Sequence, residues 1–253
     1  MTPFAATAAT NALTESRIAV KSDRIAFSPM THFPLAILFD LDGTLVDTAP
    51  DLLASLNAVL TRAGHRPVKP TELRNMVGHG VRALFERAFK ETGTPVSPED
   101  LARYSDEFMA HYRENIARES RPFPGVVETL KRLADAGAKL GVCSNKPQEL
   151  TDLLLAQLDL ARHFGAVYGG GKAAHNKPAP DHVLELVDAL EGSRGRAVLI
   201  GDSTVDVAAA RAAGIPVIVM SYGYTPVAAS ELGADAVADD FSALPELISR
   251  LAN

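Results

Sequence analysis

Short apolar runs alternate along this chain with segments whose apolar residues recur every three or four positions. The first run, Ile37, Leu38 and Phe39, is apolar on both alternating faces. A strand of a parallel sheet with helices on both sides needs that pattern. It leads straight into Asp40. From Thr48 the period turns helical, and no strand pattern interrupts it for about seventy residues. Leu52, Leu53, Leu56, Val59 and Leu60 form one apolar face; Val81, Leu84, Phe85, Ala88 and Phe89 form a second. Ser97, Pro98 and Asp100 open a helix whose stripe is Leu101, Tyr104, Phe108 and Tyr112. Thr48 and Asp51 have the spacing of a capping box. The stretch "RPFPG" marks the return to the first rhythm.

After Gly125 strand and helix patterns alternate. A helix carrying Val127, Leu130 and Leu133 stops at Gly137, and the strand "AKLGVC" follows. Next come a helix with Leu150, Leu153, Leu154 and Leu158, a short strand at "AVYGG" and a helix after Pro180. The strand "AVLIG", a helix stopped at Gly214, the strand "PVIVM", a weaker strand near "DAVAD" and a last helix complete the pattern. Such alternation predicts an α/β fold with a doubly wound parallel sheet. The predicted core covers residues 31–47 and 122–253, with an all-helical subdomain inserted at 48–121. Residues 1–30, rich in Ala, Thr and Ser, have no sustained period and are expected to form a mobile tail. They have neither the basic start nor the apolar stretch of a secretory signal, and Met30 is a second possible start.

Composition narrows the function. The chain has 253 residues, 47% of them hydrophobic, enough for a sizeable core. Its net charge is −6 and no basic stripe appears, which argues against a nucleic-acid partner. No apolar run approaches the ~20 residues of a membrane span. The one cysteine, Cys143, lies in a strand pattern and is expected in the core. A cytoplasmic protein, monomer or homodimer, is the expectation.

The chemistry gathers at strand ends, where open α/β sheets bind their ligands. In "AILFDLDGTLVDT" two acids, Asp40 and Asp42, close the first strand before Gly43. Two carboxylates about 4 Å apart repel by ~4 kcal/mol at an effective dielectric of 20, so a positive group must offset them. Three further clusters occupy matching positions: Ser144 and Asn145 in "GVCSN", Lys177 in "NKPAPD", and Asp202 with Asp206 in "VLIGDSTVD". Singly these are explained as turn residues, a solvated lysine and a helix cap. Together they supply a lysine and enough acids to hold a divalent cation. Phosphoryl transfer uses such a set. Mg²⁺ takes oxygen ligands from one or two carboxylates and a substrate phosphate, a carboxylate can act as nucleophile, and Ser, Asn, Lys and loop amides can bind phosphoryl oxygens.

In order, "DLDGT", "SN", the lysine and "GDSTVD" resemble the four motifs of the haloacid dehalogenase superfamily, phosphatase branch. The helical insertion lies where that family carries its small cap. The resemblance spans about Leu35 to Leu251. It implies that Asp40 is the nucleophile and a Mg²⁺ ligand, and that Asp42 is the general acid and base, with its backbone carbonyl on the metal. It implies that Ser144 and Asn145 bind phosphate, and that Lys177 neutralises nucleophile and phosphoryl group. Asp202 would ligate the metal, and Asp206 would support it directly or through water. Dehalogenases of the superfamily lack the counterpart of Asp42, so its presence favours phosphate esters. "LVDTAPDL", "VGHGVRALFERAF", "FPGVVETL", "SNKP" and "SYGYTP" are similar to bacterial phosphoglycolate phosphatases. Gly171 departs from that group, where an acid commonly follows two glycines, and Ser144 replaces the commoner threonine while keeping the hydroxyl.

The implied function is therefore hydrolysis of a small phosphate monoester, 2-phosphoglycolate first. A sugar or amino-sugar phosphatase, a phosphoglucomutase and a catalytically idle binding protein are the alternatives. A carboxylate on the substrate calls for a donor opposite the nucleophile. "VGHGVRAL" offers His79 and Arg82 beside glycines that open a helix at Val81, with Lys172 and His175 on the core loop as the next candidates.

Overall fold

The computed structural model describes residues 35–73, 76–77, 81–93 and 96–251. The expectations for residues 1–30 and for His79 lie outside the described residues.

Six strands form one parallel sheet: β1 (Ala36–Phe39), β4 (Lys139–Pro147), β5 (Ala166–Gly170), β6 (Ala197–Gly201), β7 (Val217–Met220) and β8 (Ala236–Ala238). Their order is β5-β4-β1-β6-β7-β8, with β1 between β4 and β6 in parallel register. The apolar run of β1 splits by period two. Ile37 and Phe39 pack into one core with α5 (Val126–Asp135), α6 (Gln148–Gln157) and α9 (Leu244–Leu251). Ala36 and Leu38 pack into a second core with α7 (Asp181–Ala189) and α8 (Thr204–Ala213). All four side chains are fully buried, at ~1.5–3 kcal/mol for each large one. Helices on both faces make this the doubly wound fold that the sequence pattern predicts.

Between β2 (Val46–Asp47) and β3 (Arg121–Pro122) lie α1 (Ala49–Arg62), α2 (Pro70–Leu73), α3 (Val81–Thr92) and α4 (Pro98–Asn115). The chain leaves the sheet through β2 and returns through β3, and these two short strands pair antiparallel. This ribbon was not legible in the sequence, because two-residue strands carry no period. The helices join through rings: Phe85 meets Phe108 edge-on with centroids 5.8 Å apart, and Phe108 stacks on Tyr112 at 5.4 Å. At the start of α4, Ser97 Oγ accepts the Asp100 N–H at 3.0 Å, with Pro98 in the first turn, as predicted.

Two local expectations are corrected. Thr48 precedes α1 without a side-chain cap, and its buried hydroxyl has no partner among the described residues. The Asp51 carboxylate instead accepts the Glu119 and Ser120 N–H groups and the Ser120 hydroxyl, the last two at 2.8 and 2.7 Å. Three charge-assisted donors hold it better than one helix-end amide would. The strand expected to stop at Cys143 continues to Pro147, with a register shift against β5 between Cys143 and Pro147. Ser144, Asn145 and Lys146 are thus carried by the irregular end of β4 rather than by a loop after it.

Candidate active site

At the end of β1 the Asp40 N–H still donates to Ile200 O of β6, at 2.8 Å, which fixes the first acid between two strands. The chain then turns tightly. Leu41 O accepts the N–H groups of both Leu45 and Val46 at 3.0 Å. Gly43 has φ +85, and a Cβ there would press on the Asp202 carboxylate. A side chain is therefore excluded by strain and by space.

Asp202 directly follows β6, and Asp206 lies in the first turn of α8. Carboxylate oxygens of Asp40, Asp202 and Asp206 all lie within 4.8 Å of one another, and all three residues are buried. Lys177 offsets part of this charge, with Nζ 2.8 Å from Asp40 Oδ1 and 2.6 Å from Asp206 Oδ1. Burial alone would lower the Lys177 ammonium; Asp206 and Asp40 outweigh it and hold it charged, above the usual lysine range. One ammonium does not balance three carboxylates. Burial pushes Asp40 up to about 7 against the pull of Lys177, with Asp206 adding to the rise. Asp202 is pushed well above the ordinary range by burial, then by Asp206 and Asp40.

The three acids differ in what they have left to give. Asp206 Oδ2 accepts from the Asp202 and Ser203 N–H groups and from the Ser203 hydroxyl, the reciprocal half of a capping box at the start of α8. Its other oxygen is taken by Lys177. Asp202 Oδ2 accepts the Tyr224 N–H at 2.6 Å, and Oδ1 has only a long contact of 3.4 Å from Thr44 Oγ1. Asp40 Oδ2 receives no hydrogen bond from the described residues, whereas Oδ1 is held by Lys177. The freest oxygens thus belong to Asp40 and Asp202. Buried oxygen donors in excess of their cation suit a hard divalent metal ion.

Asp40, Asp42, Ser144, Asn145, Lys177 and Asp206 line one cleft at this edge of the sheet. Ser144 Oγ accepts the Lys146 N–H at 3.2 Å. The Asn145 amide is turned to the protein: Nδ2 donates to Lys177 O at 2.8 Å, and the buried Oδ1 has no partner among the described residues. Its side chain braces the lysine segment. Arg82 does not join the cleft. Its side chain is 74% exposed and pairs with Glu86 one turn along α3, at 2.9 Å. The expectation that Arg82 faces the nucleophile is corrected on that geometry: Leu84 and Phe85 take the buried side of α3 and leave Arg82 to solvent. Lys172 Nζ is occupied by Val167 O at 2.7 Å, and His175 faces Asp181 at 3.4 Å.

Sequence reasoning missed two cleft residues. Lys146 is 7% exposed, and its Nζ lies 3.0 Å from Asp42 Oδ1 and 2.8 Å from the Tyr112 hydroxyl of α4. The signal was present in "SNKP", one residue past the pair that was singled out, while Tyr112 read only as part of an apolar stripe.

A protein from Agrobacterium fabrum named phosphoglycolate phosphatase is 44% identical over 219 residues, covering 86% of this chain and 94% of its own. One of the same name from Caulobacter vibrioides is 46% identical, covering 83% and 89%. The crystal structure of "a predicted phosphoglycolate phosphatase" from Haemophilus somnus superposes with a TM-score of 0.80 at 30% identity, covering 86% of this chain and 99% of its own. The model of the family described as haloacid dehalogenase-like hydrolase matches residues 37–220. That span encloses the first acid, the last acid and the whole helical block between them, and on that match the chain belongs to the haloacid dehalogenase-like hydrolase family.

Proposed function

We propose that the chain is a Mg²⁺-dependent phosphatase acting on 2-phosphoglycolate through an aspartyl phosphate on Asp40. The observation that carries this reading is the buried Asp40–Lys177–Asp206 chain with Asp202 beside it. The names of its relatives supply the substrate. Asp40 Oδ2 attacks phosphorus and the ester P–O bond breaks; Asp42 gives its proton to the departing alkoxide. Asp42 then takes a proton from water, the water oxygen attacks the same phosphorus, and the bond to Asp40 breaks to release phosphate. Ser144 and the Lys177 ammonium face the phosphoryl oxygens, and Asn145 holds the Lys177 backbone. Asp40, Asp202 and the Asp42 carbonyl would hold the metal, with Asp206 behind them. When bound, the ion offsets the charge shared by the carboxylates and the phosphate.

The helical block at 48–121 serves as a cap on the 31–47 and 122–253 core. Leu52, Leu84 and Phe108 wall the cleft with apolar surface and so exclude water from it. Among the described residues no helix is long and apolar enough to cross a membrane. The reading is tested by ranking small phosphate monoesters by kcat/KM with Mg²⁺ and with excess chelator. Phosphoglycolate should lead, and chelator should abolish turnover. Asp40→Asn should lose at least about a thousandfold in kcat while keeping its melting temperature, since an amide is a poor nucleophile. Substantial turnover by a pure Asp40→Asn sample, or phosphate release in full without metal, overturns the mechanism.

A further inference from the structure

Lys177 is committed to Asp40 and Asp206. Among the described residues lining the cleft, Lys146 is the one other cation. An ammonium has three donors. Asp42 takes one, with Oδ1 at 3.0 Å and Oδ2 at 3.3 Å, and the Tyr112 hydroxyl takes a second at 2.8 Å. The third is left over. The Tyr112 hydroxyl accepts from Lys146, and its own hydrogen has no acceptor among the described residues. Two unspent donors, one charged, thus converge beside Asp42 in a wall that is otherwise largely apolar. Burial pushes the Tyr112 phenol up to about 12, so it keeps its proton. Asp42 and Tyr112 outweigh burial and hold the Lys146 ammonium charged.

We infer that Lys146 and Tyr112 form the site for a second anionic group on the substrate, a carboxylate one carbon removed from the ester oxygen. The inference rests on the phosphoglycolate reading and supplies its specificity device. The spacing follows from the substrate. Its ester oxygen and nearest carboxylate oxygen are held roughly 3 Å apart by short covalent bonds. The group that protonates the ester oxygen and the group that binds the carboxylate must then be hydrogen-bond neighbours of each other. Asp42 and Lys146 are such neighbours. Lys146 comes from the sheet and Tyr112 from α4, so a bound carboxylate would also join the helical block to the core. An ester with a methyl or hydroxyl in that place would leave the buried ammonium without its anion and bind less well.

The test compares kcat/KM for phosphoglycolate with that for ethyl phosphate, in the wild type and in Lys146→Met, Lys146→Arg and Tyr112→Phe, each with its melting temperature. Lys146 also touches Asp42, so Lys146→Met should slow both substrates; the informative quantity is the preference between them. That preference should fall at least about tenfold in Lys146→Met, the weight of a hydrogen bond to a charged group. It should fall about threefold or more in the nearly isosteric Tyr112→Phe. Lys146→Arg, which keeps the charge, should retain more of the preference than Lys146→Met. If the wild type prefers phosphoglycolate and all three variants keep that preference, the inference is overturned while the substrate reading stands. If the wild type shows no preference, the substrate reading fails and the inference falls with it.

Discussion

At the scale of single residues, what distinguishes the side chains of this cleft is how many of their hydrogen bonds are already spent. Asp206 is saturated by protein partners and Lys177 has spent two of its three donors, whereas Asp40, Asp202 and the Lys146–Tyr112 pair keep free capacity. That distinction is invisible in a sequence, where Asp40 and Asp206 are the same letter. Behind the cleft, His182 is fully buried on α7. Its Nε2, assigned as the protonated nitrogen, donates to Tyr168 O at 3.1 Å, and Nδ1 has no partner among the described residues. Burial, then the Lys177 ammonium, lowers it to about 4. A histidine held neutral in the fold but ordinary when unfolded stabilises the protein above about pH 6.5 and loses that contribution as pH falls through 4. His182→Gln keeps a donor for Tyr168 O and cannot become charged. Its melting temperature should fall less than that of the wild type between pH 7.5 and 4.5, by roughly 5 °C. Parallel acid profiles for the two proteins, measured by thermal unfolding, would remove the titration of His182 from the account.

At the scale of elements, the long periodic helices and apolar strands were legible, because burial of one face or both writes a period into the chain. The end of β4, the β2–β3 ribbon and the short helix α2 were not. Their hydrogen bonds are local, irregular or too few to leave a pattern. Among the candidate site residues, Asp40, Ser144 and Asp202 stood out because a polar group directly after an apolar run has no packing purpose, Asp42 because it doubles the charge of Asp40, and Lys177 as the positive group those acids call for. Lys146 did not, since a lysine two residues further on looks like a return to solvent. Asp51 is a similar case, read as a cap and found to be a clamp between the first turn of α1 and the segment returning to β3. It is 1% exposed, and its removal strands two N–H groups and a hydroxyl. Asp51→Ala should therefore cost about 3–5 kcal/mol in urea unfolding, and Asp51→Asn, which keeps one acceptor oxygen, clearly less. Hydrogen exchange at Glu119 and Ser120 should speed up in both variants. An Asp51→Ala protein as stable as the wild type would show that the clamp is replaced by water.

At the scale of the whole molecule, one apolar core joins the helical block to the sheet, and some of the polar contacts between them reach the acid cluster. The Tyr224 N–H holds Asp202, while its hydroxyl donates to Asp47 of β2 and accepts the Ala49 N–H that opens α1. On the far side of the cleft, Tyr112 of α4 meets Lys146, and Arg113 pairs with Glu149 of α6 at 3.0 Å. A ligand that steadies Asp202 should thus stabilise the entire chain. Without a cation the folded cluster keeps protons that the unfolded chain would release, because Asp40 is raised to about 7 and Asp202 is raised as well. With both carboxyls raised in the fold, their contribution to metal-free stability is complete below about pH 4 and is lost as pH rises, that of Asp40 as pH climbs through about 7. A metal ion held by the ionised acids would reverse that trend, since it would displace their protons. Excess Mg²⁺ over chelator should raise the melting temperature by about 5–10 °C at pH 8, the effect of roughly a hundredfold excess over the dissociation constant. The rise should be much smaller at pH 5, where protons compete. Binding at pH 7 should release protons, read as a dependence of the calorimetric enthalpy on the ionisation heat of the buffer. Asp202→Asn, which removes one ligand charge and leaves Lys177 in place, should abolish most of the stabilisation. Equal increments at pH 5 and 8, or an undiminished increment in Asp202→Asn, would place the ion outside the acid cluster.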